Sequence, residues 1–172
     1  SPTTPVITPV EWRRRPGVVA AVPAWRLPDE VEAPASACES AASAIESALT
    51  WLAAHQSPDG HGDGAAFDAG CGGCSGATAH PMNVTLTGLS TLAFLGAGHT
   101  HLRDGPHREV VQRAVAWLRA GQQPDGDLQR SETMYSHAIA TTALAEALAA
   151  TVDAELKDVV RRAMQVIIQT PT

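Results

Sequence analysis

The sequence predicts an all-α fold of repeated helical hairpins in two layers, and three observations carry that expectation. The stretch 48–60, ALTWLAAHQSPDG, recurs 66 residues later as 114–126, AVAWLRAGQQPDG, with eight of thirteen positions identical, the mark of a duplicated helix-plus-turn unit. No segment alternates with period two over strand length, whereas five carry apolar residues at helical spacing. Those five alternate between helices with one charged face and helices almost free of charge, as amphipathic outer helices around enclosed inner ones would.

The 172 residues suffice for one domain, which would bury roughly 70% of its unfolded surface. Ala, Leu and Val dominate the 44% apolar share and only seven residues are aromatic, a composition suited to closely packed helices. A net charge of −6 with one short basic run, Arg13 to Arg15, gives no nucleic-acid footprint. Three cysteines do not make a disulfide framework. Residues 69–102 lack Asp, Glu, Lys and Arg, but Gly, Pro, His and Thr interrupt them. Their apolar part is too short to span a bilayer and reads as protein interior. Compartment is not encoded in anything this composition offers.

Residues 1–34 hold seven of the twelve prolines and no apolar periodicity, so an extended or disordered arm is expected. Trp12 beside the three arginines offers a contact to a membrane surface or a partner; a mobile linker is the plainer reading. The domain proper should then run over 35–172. Its first helix starts near Ser36, which with Glu39 makes a capping box. That helix buries Ala41, Ile45, Ala48, Leu49 and Leu52, with Glu46 toward water, and ends near His55 because Pro58 restricts Ser57. A Gly-rich loop follows over 59–81. The second helix, 84–97, carries Leu86, Leu89, Leu92, Phe94 and Leu95 without a charge and should be enclosed. Gly105-Pro106 opens the third, with Val111, Ala114, Val115 and Leu118 inward. The fourth, 134–150, has seven alanines and one charge, Glu146, and should be enclosed too. The fifth, from Asp153, buries Leu156, Val159, Val160, Ala163 and Ile167. Gln56-Ser57-Pro58 and Gln122-Gln123-Pro124 open the two turns, and Gln169-Thr170-Pro171 matches them. A third copy continuing past 172 is therefore expected, leaving an incomplete ring whose apolar ends would bind hydrophobic dye or self-associate.

Leu52, Gln56 and Gly60, and again Leu118, Gln122 and Gly126, follow a bulky–Gln–Gly spacing that closes on Trp in its full form; Gly62 and Leu128 stand in that last place. Over about 40–172 the chain resembles the squalene–hopene cyclase and protein prenyltransferase repeat superfamily. Its LAFLGAGHTH (92–101) and MYSHAIATTALAEAL (134–148) are similar to planctomycete-type prenyltransferase or squalene-oxidase repeat proteins. The resemblance implies a partial α/α toroid and an apolar central cavity. Its catalytic signatures are not carried over. There is no Asp-x-Asp-Asp run, only Asp68-x-x-Cys71 in place of a zinc-binding Asp-x-Cys, and Gly70-Cys71-Gly72 is followed by Gly73-Cys74 rather than a thioester's Glu-Gln.

Two clusters remain as candidate chemistry. Cys71 and Cys74 have zinc-ligand spacing, with His61 and His80 as the nearest further donors and His99 and His101 beyond them. Two thiols in a plain surface loop is the competing reading. His137, with Tyr135 beside it and Glu146 further along, could supply general acid–base groups at a cavity, or His137 could bond a backbone carbonyl. Asp59-Gly60 and Asp125-Gly126 are read as turns, and Trp51 and Trp117 as packing anchors between units. The functional expectation is a module that binds an isoprenoid, another apolar ligand or a protein partner. The alternative is an isoprenoid- or lipid-processing enzyme whose catalytic residues lie beyond 172.

Overall fold

The structure, a computed structural model, describes residues 35–70, 73, 74 and 78–169, with side chains from residue 40 onward except at 69 and 70. The proline-rich arm, the side chains of Ser36 and Glu39, Cys71 and the final Thr170-Pro171 lie outside the described residues. The chain divides into two units, Ser1–Glu39 and Ser40–Thr172, and the packing that follows belongs to the second.

Among the described residues there are five α-helices and no strand: α1 Ala35–Ala54, α2 Asn83–Gly96, α3 Arg108–Ala120, α4 Met134–Thr151 and α5 Ala154–Gln169. A 3₁₀ turn, Phe67–Gly70, interrupts the Gly-rich loop. The most extensive packing joins α2 to α4; α5 packs on α4, and α3 on both α2 and α4.

The α2–α4 contact is close where Gly88 leaves room for Ile139. A Cβ at Gly88 would sit 2.8 Å from Ile139 Cγ2 and 3.3 Å from that residue's backbone. The buried face of α2 is Val84, Thr85, Thr87, Gly88, Thr91 and Phe94. This departs from the leucine stripe expected from its sequence, since Leu89 is exposed and Leu86, Leu92 and Leu95 are only half-buried. Threonine tolerates burial here because its hydroxyl bonds the carbonyl four residues back: Thr87 to Asn83 at 2.5 Å and Thr91 to Thr87 at 2.7 Å. The first-turn amides of α2, which have no partner inside the helix, are met by Glu132, whose Oε1 accepts from Val84 N at 2.7 Å. Thr85 Oγ1 donates to Ser136 at 2.8 Å, tying the starts of α2 and α4 together.

In α3, Val111, Ala114, Val115 and Leu118 are buried as their spacing predicts. In α5 the inward residues are Leu156, Val159 and Ala163, while Ile167 is exposed. The helix α1 differs most from expectation. Among its described side chains only Leu49 is buried; Leu52 and Ala53 are partly so, and Ile45 is 54% exposed. Its neighbours cover one line of residues rather than a broad stripe.

Candidate functional site

The duplicated turn builds one wall of the candidate site. After α1, Gln56 Nε2 donates to Gly60 O at 2.9 Å, closing its own turn, and to Val110 O of α3, also at 2.9 Å. After α3, Gln122 Nε2 donates to Gly126 O at 3.1 Å and to Val159 O of α5 at 2.9 Å. Ser57 N to His61 O and Gln123 N to Asp127 O, each 2.8 Å, complete the same pattern. Gly60 and Gly126 take φ of +105° and +100°. A side chain at Gly60 would run into the Arg113 carbonyl, and one at Gly126 would lie 2.6 Å from the Arg162 carbonyl. Each turn thus docks on the next amphipathic helix through the same atoms. The Asp-Gly pairs act as turns, as expected: Asp125 Oδ1 accepts from Asp127 N at 3.0 Å.

Trp117 anchors this docking. Its indole N–H donates to Asp59 Oδ2 at 3.2 Å, His61 stacks on it at 5.2 Å, and the Arg130 guanidinium lies 4.0 Å over its ring. Asp59 is pulled below the usual carboxylate range: partial burial raises it, and the bonds from His61 and Trp117 outweigh that. Trp51, at the equivalent place in the first copy, keeps different company. It stacks on His55 at 3.9 Å, lies near Phe67, and is 48% exposed.

Between the first turn and the helices lies a cleft of about 370 Å³. Trp51, Leu52, His55 and Gln56 of α1 and its turn form one side, and Phe67 with the loop around Gly62–Gly64 another; Leu86, Ser90 and Phe94 of α2 and Val110 and Ala114 of α3 form the floor. The lining is mostly apolar, with His55, Gln56, Asp63, Thr78 and Ser90 as its polar points. Asp63 is spoken for in part, since its Oδ1 accepts from Ala65 N at 2.8 Å and Ala66 N at 3.1 Å. Such a site suits an apolar ligand carrying a small polar group.

The sequence-derived candidates fall in separate places. Cys74 is half-buried, and the histidine the fold brings to it is His55, whose Nε2 is 3.2 Å from the sulfur and whose Nδ1 donates to Trp51 O at 2.6 Å. His61 is engaged with Asp59 at 2.5 Å, and His80 is exposed. Among the described residues no three ligand atoms that include Cys74, His61 or His80 converge. His101 is buried against Asp153 Oδ2 at 3.1 Å. His137 is fully buried, with Nε2 3.0 Å from Ala163 O and Nδ1 3.0 Å from Leu128 N and from Asp127 Oδ1. A carbonyl only accepts, so Nε2 carries a proton, and Nδ1 meets both a donor, the Leu128 amide, and an acceptor, the Asp127 carboxylate. Thr87 does the same task in the first copy, accepting from Gly62 N at 2.9 Å. Tyr135 is 59% exposed, and Glu146 is exposed about 13 Å further along α4 than His137 at 1.5 Å rise per residue. These three side chains are not gathered into one site.

His55, Phe67 and Asp63 were not singled out by the sequence. The one available signal for His55 was its place just past the end of α1, one residue before the repeated Gln. No family model, curated protein or solved structure matches the chain.

Proposed function

We propose that this chain is a binding module, part of an α/α toroid of the cyclase–prenyltransferase kind, that holds an isoprenoid or fatty-chain ligand in the cleft beside its first repeated turn. The observation that carries the reading is the cleft itself. At about 370 Å³ it is more than twice the roughly 150 Å³ of an apolar cavity that accepts benzene, room for about ten to fifteen carbon atoms. Aromatic and aliphatic side chains supply the walls, and His55 and Asp63 offer polar partners for a hydroxyl or other head group. The toroid part of the reading is supported by the two turns, which dock on successive amphipathic helices with matching bonds.

Calorimetric titration with an isoprenoid alcohol tests the proposal. Saturable one-to-one binding is expected for the natural chain. Ala114→Leu, which adds bulk to the cleft floor, should weaken it at least about tenfold, the scale of losing 1.4 kcal/mol, while the helical circular dichroism is retained. Absent binding, or binding unchanged by Ala114→Leu, contradicts the proposal. Chemical conversion of the bound alcohol would move it from binding module to the enzyme alternative.

A further inference from the structure

Beside Phe94, which also lines the cleft, three side chains from distant parts of the sequence meet. Glu46 comes from the middle of α1, His99 from the α2–α3 connection and His107 from the N-cap of α3, each bringing one ligand atom to within 4.8 Å of the others. We propose that they bind one divalent transition-metal ion of the zinc type, which fastens α1 to the corner between α2 and α3.

Spacing is the first argument. His107 Nε2 is 2.8 Å from Glu46 Oε1, a hydrogen bond, but His99 Nε2 is 3.9 Å from Glu46 Oε2, too long for one. Two ligands at about 2.1 Å on a tetrahedral ion stand about 3.4 Å apart, and the two Glu46–histidine separations, one to each carboxylate oxygen, lie on either side of that value. The exposed Glu46 carboxylate has room to adjust toward that spacing. The His107 Nε2 proton leaves on binding, and the imidazole lone pair takes the place of its bond to Glu46.

The donor set is the second argument. Two imidazoles and one carboxylate suit zinc, nickel or copper, whereas calcium and magnesium want oxygen alone. The site also has a dry side and a wet side. His107 is buried and packs on Phe94 at 5.1 Å, while the Glu46 side chain is 54% exposed and His99 is half-buried. An ion can therefore enter, and a water can complete its coordination.

The third argument is what the fold gains. With Leu49 the one buried side chain among those described in α1, that helix has little apolar surface holding it down. An ion bound only by the folded chain adds its binding free energy to that docking. None of the three ligands lines the cleft, so this proposal stands whether or not the cleft binds a lipid.

The test is zinc titration of the full chain by calorimetry, with cobalt absorption as a report on coordination and melting temperature as a report on stability. One ion per chain, a tetrahedral-type cobalt spectrum and a higher melting temperature are expected. Glu46→Gln and His99→Ala alter exposed or half-buried positions and should leave the circular dichroism unchanged. Each should weaken zinc by more than the roughly tenfold cost of losing a group that only hydrogen-bonds to a ligand. A Cys71→Ser, Cys74→Ser double variant should bind as the natural chain does. No binding, binding indifferent to Glu46→Gln and His99→Ala, or binding abolished by the cysteine variant would each overturn the assignment.

Discussion

Asp153 joins the start of α5 to the α2–α3 connection through one carboxylate. It precedes α5, where its Oδ1 accepts from Glu155 N at 2.9 Å, and its Oδ2 faces buried His101 at 3.1 Å. The Glu155 amide bond is the largest influence on its ionisation; burial opposes it, His101 and Arg119 reinforce it, and the carboxyl is held below its usual value. A lowered folded pKa means stability that is complete above the unfolded value of about 3.9 and lost as pH falls through the folded one. Asp153→Ala should therefore cost about 1 kcal/mol at pH 7, a typical N-cap loss, with the gap to the natural chain closing below about pH 4. Urea melts at the two pH values measure it; a gap independent of pH would mean that the charge is not involved. The start of α5 at Asp153 was legible at this scale, since an amphipathic run follows it. His101 as its partner was not, because 52 residues separate them and a histidine carries no mark of which acid it will meet. The same is true of Glu46, which reads as solvent-facing until His99 and His107 are seen beside it.

The repeated turn is the element on which the helices are hung. Its Pro, Asp and Gly are local signals, and they were readable because turn chemistry depends on neighbours in sequence. What the turn grips was not readable, since Val110 O and Val159 O are backbone atoms that any residue could present. Gly126→Ala should destabilise by about 2–4 kcal/mol, from positive φ together with the clash on the Arg162 carbonyl. Gly60→Ala should behave alike. Gly96→Ala, with nothing within 4 Å of the added Cβ, should be neutral or mildly stabilising. Thermal denaturation of the three separates them, and a neutral Gly126→Ala would contradict the docking. The helices α2 and α4 show where reading by hydropathy stops. Their lack of charge pointed to burial, but the inward face of α2 is largely Thr and Gly, and its leucines are half-buried or exposed. Hydrophobic periodicity does not register a hydroxyl that bonds its own helix.

At the scale of the whole molecule, the all-helical class of the described residues and their five helices within a few residues of their limits were legible, because composition and 3.6-residue spacing are properties of the chain itself. The cleft was not, because it arises where α1, the Gly-rich loop, α2 and α3 happen to leave space, and no single segment encodes an empty volume. No helix among the described residues is long and apolar enough to cross a membrane. The cleft is the feature on which the functional reading rests, so the most direct test follows its residues one by one. Amide resonances should be recorded while an isoprenoid alcohol such as farnesol is added to the full chain. Saturable shifts are expected at Gly62, Gly64, Leu86 and Ala114 and at the Trp51 indole, with residues near Met164 on α5 unmoved. Shifts that never saturate, or that gather on α5 and leave the cleft untouched, would contradict it.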